Sequence, residues 1–374
     1  MKKIEFYQHN ITSKDIKRAS DVLKSIFLTT GDEVYEFEKK FSSYLSINNT
    51  IGLTSCTAAL HLALLAWDIG TGDEVITTPL SFCATSNSVI HAGAKPVFVD
   101  VEEDTGNINA ELIEDAITER TKAIMPVHLY GQMCDMKSIS QIADKYNLVV
   151  IEDAAHCIEG SRNDIRVGQL GDAACFSFYA TKNITSGEGG AISTNNNEKS
   201  DLLKMMRTHG IDKSAADRYT KKYRHWDMPV LGWKYNMDNI HASLLIGQLQ
   251  KIDELHEKRE QLWSYYVDRL SSVKGIRLLK DMPDSVHARH LFTALVAPDR
   301  RDSILWQIQD NGIGVAVNYR AIHLLEYYRR TYGYKEGDFP VAEDIGNRTI
   351  SLPLYPKLSR KNIKFIAQTF AAIL

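Results

Sequence analysis

The chain has few cysteines, no long apolar run and almost no net charge, and each shortage excludes a class of protein. Its 374 residues include five cysteines without a CxxC pair, which argues against a disulfide framework and against a metal site of the zinc type. The longest apolar stretches, such as Ala58 to Trp67, reach about half of the roughly 20 residues that a membrane-spanning helix needs. A formal net charge of -3 gives no broad attraction to nucleic acid or to an anionic membrane. Any anionic ligand must then be held by local geometry.

In other respects the composition is that of an ordinary globular protein. Hydrophobic residues make up 44% and charged residues 24% of the chain, and its length allows a large core with more than one domain. The first residues, Met1 to Phe6, include acidic and polar side chains before any long apolar region, unlike a secretory signal. We therefore expect a cytoplasmic protein.

From Thr50 to about Asn195, short apolar runs rich in β-branched residues alternate with amphipathic ones. This pattern predicts an α/β fold in which helices cover a mostly parallel sheet. The predicted strands are Thr50–Leu53, Glu74–Thr78, Pro96–Val101, Ala123–His128, Leu148–Ile151, Ala174–Phe178 and Ala191–Thr194. The predicted helices are Ala58–Trp67, Ala110–Ile117, Met136–Tyr146 and, before the sheet, a helix capped by Ser13.

After the alternating region the pattern changes. Apolar residues repeat at helical spacing from about Asn239 to Val273, which predicts one long helix. Beyond it, strand-like and helix-like segments mix, as in a smaller α+β unit. We expect an N-terminal arm and large α/β domain over residues 1–238, and a linking helix with a small C-terminal α+β domain over residues 239–374.

One lysine stands in an unusual setting. Lys182 lies between an apolar run, Phe176–Phe178, and a glycine-rich run, Gly187–Gly190. In a partly dry site, a lysine can lose its proton and attack a carbonyl carbon to form a Schiff base. The alternative is a solvated surface lysine, which is the ordinary case. The other polar residues of the chain decide between these two interpretations.

Polar residues also follow several predicted strands, at the edge of a parallel sheet where ligands bind. Asp153 and His156 come directly after one strand, and Phe82 follows another. The run Thr54–Ala58 opens a helix, whose first N–H groups can bind a phosphate. A lysine, an acid, a phosphate-like helix start and an aromatic together resemble a site for pyridoxal 5'-phosphate (PLP).

With these residues the chain resembles the DegT/StrS family of PLP-dependent nucleotide-sugar aminotransferases over nearly its whole length. The matching segments are Leu28–Gly31, Phe37–Glu38, Thr54–Leu60, Thr78–Phe82, Pro126–Gly131, Ile151–His156, Ser177, Lys182–Asn183, Tyr235–Met237 and Ser351–Leu354. The resemblance implies PLP fold type I, the aspartate aminotransferase-like fold, with a mostly parallel seven-stranded sheet in the large domain.

The resemblance also assigns roles to single residues. It makes Lys182 the Schiff-base lysine and Asp153 the partner of the pyridine nitrogen, and both are the expected catalytic residues. Phe82 would cover one face of the cofactor ring, and His156 would lie near its phenolic oxygen. The phosphate would be held by the N–H groups of Cys56 and Thr57, by Ser177, and by Asn236 from a second subunit of a homodimer. Cys56 departs from the glycine of many members, but a small side chain fits a site made by backbone groups. Tyr319 and His323 are candidate substrate contacts.

Each of these residues also has an ordinary structural interpretation. Asp153 could cap the helix after its strand, and His156 or Phe82 could be core residues. Ser177 and Thr57 could be structural hydroxyls, Asn236 could end a turn, and His323 could lie on the surface.

The resemblance further implies the reaction: L-glutamate donates an amino group, with ping-pong kinetics, to a nucleotide-linked 4-keto-6-deoxy sugar. The run Asn183–Glu188 is more similar to members that aminate C-4 than to those that act at C-3. Three alternatives stay open: a C-3 aminotransferase, a sugar dehydratase, which in this family has histidine in place of the lysine, and a regulator without activity.

Overall fold

The computed structural model describes residues 3–213 and 225–374. Its helices are Ser13–Leu23, Asp32–Leu45, Cys56–Ala66, Ala84–His91, Met136–Tyr146, Asn197–Met206, Asn239–Leu249, Ile252–Leu270, Arg301–Asp310, Glu326–Tyr332, Pro340–Arg348 and Arg360–Ile373. Its strands are β1 (Asn49–Leu53), β2 (Glu74–Thr77), β3 (Lys95–Phe98), β4 (Thr121–Met125), β5 (Val149–Asp153), β6 (Ser161–Arg162), β7 (Ile165–Arg166), β8 (Ala173–Ser177), β9 (Gly190–Thr194), β10 (Arg277–Leu278), β11 (Ser285–Val286), β12 (Phe292–Leu295) and β13 (Thr349–Leu352).

A seven-stranded sheet forms the centre of the molecule, with the strand order β1-β9-β8-β5-β4-β2-β3. The pairs from β8 to β3 are parallel, whereas β9 runs antiparallel to both of its neighbours. All seven of these strands were expected from the sequence, and the predicted mostly parallel sheet is confirmed. Its strand ends therefore place Asp153 and Ser177 along one edge.

Both faces of this sheet are buried, because successive residues of each strand point to opposite sides. Val75 and Ile76 of β2 belong to two different hydrophobic clusters. One cluster contains the packed rings of Phe37, Phe41 and Phe178. The other cluster contains residues of the helix Cys56–Ala66, which follows β1 in the chain and is buried on nearly all sides. A rigid sheet covered in this way fixes the residues at its edge.

A second layer is built from the C-terminal part of the chain. The strands β10, β12 and β13 form a three-stranded antiparallel sheet. The helices Ile252–Leu270 and Arg360–Ile373 pack on it around Tyr266, Phe292 and Phe370. The boundary between residues 238 and 239 stays a prediction. Within the described residues, no helix is both long enough and apolar enough to cross a membrane.

Three local predictions were wrong. The long helix expected from Asn239 to Val273 is two helices, Asn239–Leu249 and Ile252–Leu270, because Lys251 takes a non-helical conformation between them. The segment Ala110–Ile117 forms two short 3-10 turns, the first capped by the side chain of Asn109. Thr12, and not Ser13, precedes the first helix, and its N–H donates to Asp15 Oδ2 over 2.7 Å.

Candidate active site

A cavity of about 580 Å³ lies at the carboxyl ends of the parallel strands. Most of the residues singled out in the sequence line this cavity: Cys56, Thr57, Phe82, Asp153, His156, Ser177, Lys182 and Tyr319. They come from the start of one helix, the ends of β5 and β8, and four loops. Sequence positions from 56 to 319 therefore meet in one place.

Lys182 lies on the loop between β8 and β9, and its side chain is partly buried. Its backbone N–H donates to Tyr179 O over 2.9 Å. Among the described residues, none forms a hydrogen bond or ion pair with its Nζ atom. Burial lowers the pKa of Lys182 from 10.5 to about 8, although the negative charge of Asp153 opposes that change. The amine is thus much easier to deprotonate than that of a surface lysine.

Asp153 is the last residue of β5 and is buried. Its Oδ1 atom accepts the N–H of Ala155 over 3.1 Å, and its Oδ2 atom accepts the hydroxyl of Thr85 over 2.7 Å. Burial raises the pKa of Asp153, while these two donors and the charge of Lys182 work in the opposite direction. A cation brought into the cavity would find a fixed carboxylate.

The start of the helix Cys56–Ala66 forms the other end of the cavity. Ser55 Oγ accepts the N–H of Ala58, while the N–H groups of Cys56 and Thr57 have no hydrogen-bond acceptor among the described residues. Ser177 Oγ accepts the N–H of Tyr179 at 3.4 Å, so its own proton is available. Free N–H groups at a helix N-terminus and a hydroxyl are suited to a phosphate.

A glycine brings this helix start close to the sheet. A Cβ atom at Gly190, the first residue of β9, would lie 2.2 Å from the carbonyl carbon of Ser55 and 2.4 Å from the N atom of Cys56. Any other residue would push the helix away from the cavity. Gly190 therefore shapes the cradle in which an anion can lie.

His156 is held in a defined protonation state. Its Nδ1 atom accepts the N–H of Tyr130 over 3.2 Å, so the proton of the neutral ring is on Nε2, which lies 3.1 Å from the hydroxyl of Tyr319. The ring also packs on His290, with centroids 4.3 Å apart. Burial and the charges of Lys182 and His290 keep the pKa of His156 well below its usual value. His156 thus donates to Tyr319, whose own proton is left for a ligand.

The ring of Phe82 lies on the cavity wall and is 57% exposed, with its centroid 5.9 Å from that of Tyr319. A core aromatic would be covered by other side chains. Phe82 instead presents an open apolar surface to whatever the cavity holds.

Two candidates lie outside this cavity. His323 is fully buried, and its Nε2 atom is 2.8 Å from Glu343 Oε1, so the arrangement gives no support to a substrate contact. Asn236 donates to Thr30 Oγ1 over 2.8 Å and lines a separate cavity of about 460 Å³. Within one chain, therefore, Asn236 does not reach the phosphate-like end of the Lys182 cavity.

The residues that sequence patterns did not indicate are the partners of the predicted ones. Thr85, Tyr130 and His290 contact Asp153 or His156 from distant parts of the chain. Thr85 lies three residues after Phe82, but no pattern in the sequence shows that its hydroxyl reaches Asp153.

The groups around the cavity fit PLP. The cradle at Gly190 and the free N–H groups suit its phosphate, and Asp153 suits its protonated ring nitrogen. The unpaired amine of Lys182 suits its aldehyde. An amine, a carboxylate and an anion-binding helix start in one cavity match the donor set of this cofactor.

Comparisons with known proteins agree with this chemistry. The model of the DegT/DnrJ/EryC1/StrS aminotransferase family matches residues 9–371. The spore coat polysaccharide biosynthesis protein SpsC of Bacillus subtilis is 39% identical over 94% of this chain and 92% of its own. An uncharacterized protein from Methanocaldococcus jannaschii is 43% identical over 94% of this chain and 93% of its own. The PMP form of Spr1654, a putative sugar aminotransferase from Streptococcus pneumoniae, has a TM-score of 0.94 at 30% identity and covers 99% of this chain and 98% of its own.

Proposed function

The chain belongs to the DegT/DnrJ/EryC1/StrS aminotransferase family, and on that premise we propose that it transfers an amino group to C-4 of a nucleotide-linked 4-keto-6-deoxy sugar. Membership makes it an enzyme, a PLP-dependent sugar aminotransferase with fold type I. The sugar position, the nucleotide and L-glutamate as amino donor are our proposal. The observation that carries the proposed amino transfer is the partly buried, unpaired amine of Lys182 in a cavity shared with Asp153.

Lys182 has the properties of a general base. An amine with a pKa of about 8 is neutral in about a tenth of molecules at pH 7, far more than an ordinary lysine, and it can take a proton from the donor and return it to the product. We assign it both proton transfers. The bound cofactor supplies a ring that accepts electrons from the carbon that loses its proton.

The other lining residues bind and orient. Asp153 holds the positive charge at the ring nitrogen, and the N–H groups of Cys56 and Thr57 with Ser177 Oγ hold the phosphate. The neutral ring of His156 fixes the hydroxyl of Tyr319, whose proton then points to an oxygen of the ligand. Phe82 covers a face of the cofactor and keeps water from it. These roles remain proposals.

Assignment to C-4 rests on the run Asn183–Glu188, which is similar to that of members aminating this carbon. Glu188, the last residue of the run, lines the same cavity as Lys182. This position supports a contact between the run and the sugar. A C-3 aminotransferase is the second candidate, since it would use the same cofactor residues.

We further propose a homodimer in which Asn236 completes the partner's site. The support is its distance from the cavity of its own chain and its place in a second cavity, together with the cations Lys204, Arg207 and Lys234. The cytoplasmic location also stays a prediction.

Product analysis tests the proposed reaction. The purified enzyme, loaded with PLP, is incubated with L-glutamate and a panel of UDP-, GDP- and dTDP-linked 3-keto and 4-keto sugars, and the product is examined by NMR. We expect an amine at C-4 and formation of 2-oxoglutarate. An amine found only at C-3 would replace this proposal by the second candidate.

A Lys182→Ala variant is the control for that experiment. It should fold and lose transamination, because it keeps the cavity and lacks the base. Turnover by this variant at the wild-type rate would contradict the role of Lys182. A sugar that loses oxygen without gaining nitrogen would indicate a dehydratase, and no conversion of any sugar would favour a regulator.

A further inference from the structure

Thr85 lies beside the carboxylate of Asp153 on the wall of the cavity, in the first turn of the helix Ala84–His91. Its side chain is 1% exposed, and its hydroxyl donates to Asp153 Oδ2 over 2.7 Å. The carbonyl of Phe82 is also near, at 3.2 Å, but a carboxylate is the stronger acceptor. The single hydroxyl proton of Thr85 therefore belongs to Asp153.

A second hydroxyl supports the first. Ser81 Oγ lies 2.9 Å from Thr85 Oγ1, and either atom has the geometry to donate. Because the proton of Thr85 is used by Asp153, Ser81 donates to Thr85. Both residues are buried. The hydrogen bonds therefore run from Ser81 to Thr85 and from Thr85 to the carboxylate of Asp153. Each bond polarises the next, and this stabilises the negative charge on the carboxylate.

Each oxygen of the Asp153 carboxylate has one hydrogen-bond donor. Thr85 donates to Oδ2 and the N–H of Ala155 donates to Oδ1, so both oxygens are fixed and each keeps a lone pair for a further partner. With only one of the two donors, the group could turn about its Cβ–Cγ bond. Two donors, one on the helix Ala84–His91 and one on the loop after β5, define its orientation.

We propose that Thr85 is a positioning residue for the cofactor: its hydroxyl orients the Asp153 carboxylate toward the cavity and keeps it ionised. This inference rests on the proposed role of Asp153, but not on the identity of the sugar. Thr85 also lines the cavity but is separate from the groups that hold the phosphate, and we assign its effect on the cofactor to its hydrogen bond with Asp153.

The charged environment of Asp153 sets the direction of the expected pH effect. The titratable groups that face it are Lys182, His128, Cys56, Cys175 and Tyr319. Burial raises the pKa of Asp153, and the hydrogen bond from Thr85 lowers it. Removing the hydroxyl therefore raises this pKa further, so that the carboxylate is lost at a higher pH as the solution is acidified.

The test measures the affinity for PLP by equilibrium dialysis across a pH series, with the absorption spectrum of the bound cofactor. Thr85→Val keeps the shape of the side chain and removes the hydroxyl. We expect its affinity to fall at least about tenfold, as for loss of a hydrogen bond to a charged group. The acid-side loss of PLP should also begin at a higher pH than in the wild type.

Two variants separate positioning from a general effect on folding. Thr85→Ser retains the hydroxyl and should restore affinity and pH profile. Thr77→Val removes a hydroxyl that is equally buried and donates to Met125 O over 2.8 Å, away from the cavity. It should bind PLP like the wild type. Wild-type affinity and pH profile in Thr85→Val, equal losses in Thr77→Val, or failure of Thr85→Ser would each overturn the proposal.

Asp153→Asn distinguishes this inference from the role on which it rests. If Asp153→Asn loses PLP and Thr85→Val does not, only the inference about Thr85 is wrong. If Asp153→Asn binds PLP as the wild type does, the role of Asp153 is wrong, and the inference about Thr85 falls with it. Neither result depends on which sugar carbon is aminated.

Discussion

At the scale of single residues, the reactivity of the site depends on the environment of one amine. The side chain of Lys182 is partly removed from water without receiving a partner among the described residues, and the free energy of its charged form rises accordingly. The neighbouring Asp153 limits that effect. Because burial and the charge of Asp153 act on its pKa in opposite directions, the amine of Lys182 is partly neutral at the pH of the cell and can still hold a proton.

This balance predicts a pH dependence for the reaction of the apo-enzyme with PLP. Only the neutral amine attacks an aldehyde, so the rate of covalent attachment should rise with pH through an inflection near the pKa of about 8. Stopped-flow absorbance, followed by borohydride reduction and peptide mapping of Lys182, measures it. Lys182→Arg should bind PLP without covalent attachment. An inflection near 10.5, the ordinary value for lysine, would contradict a desolvated site.

The residues with chemistry of their own could be predicted from the sequence, but their supports could not. Asp153 and Lys182 stand next to recognisable strand and glycine patterns, and both line the cavity. Thr85 is separated from Asp153 by 68 positions, and Tyr130 from His156 by 26. Such contacts depend on which strands become neighbours, and side-chain periodicity carries no information about that order.

At the scale of helices and strands, hydrophobic periodicity predicted the sheet well and the helix boundaries less well. A strand buried on both faces is marked by a short apolar run between turns, and each of the seven runs formed a strand. The helical period from Asn239 to Val273 gave no sign of the break at Lys251. The same spacing continues across it, because both helices bury apolar residues, one against the large core and one against the small.

The second of these helices is tied to the lysine loop by a buried ion pair. Arg259 on Ile252–Leu270 binds Glu159, and both side chains are 2% exposed. Glu159 Oε2 in turn accepts the side-chain N–H of Asn183 over 2.9 Å. Asn183 adjoins Lys182 in the chain, so the pair connects a long helix with the position of the reactive amine.

Arg259→Met should therefore destabilise the protein strongly, by about 3–5 kcal/mol, because it leaves the charge of Glu159 buried without its partner. Urea unfolding, followed by circular dichroism, measures this loss. Lys258→Met is the matched control: it removes an exposed pair with Glu254 on the same helix and should cost far less. The double variant Arg259→Met/Glu159→Gln should recover part of the stability. Equal losses of stability in Arg259→Met and Lys258→Met would show that the buried ion pair contributes no more to stability than the exposed one.

At the scale of the whole molecule, the residues that we assign to the cofactor lie in two cavities of one chain. The Lys182 cavity has the amine, the carboxylate and the helix start, whereas Asn236 lies in a second cavity with Lys204, Arg207 and Lys234. Arg207 is buried and paired with Glu38, which fixes the wall of that second cavity. A cavity rich in cations suits an anionic group, and a second copy of the chain can bring the two cavities together.

If Asn236 acts in the partner's site, two inactive variants should restore each other. A chain with Lys182→Ala still offers its Asn236, and a chain with Asn236→Ala still offers its Lys182, so a mixed dimer has one site with both groups. Transaminase activity of the two co-expressed variants should then exceed that of either variant alone. Co-expressed Lys182→Ala and Asp153→Ala are the control, since both residues line the cavity of one chain and no mixed site has the complete pair. The proposal of shared sites would be wrong if activity returned in the control. It would also be wrong if activity failed to return when Asn236→Ala and Lys182→Ala are co-expressed, because Asn236 would then act only in its own chain.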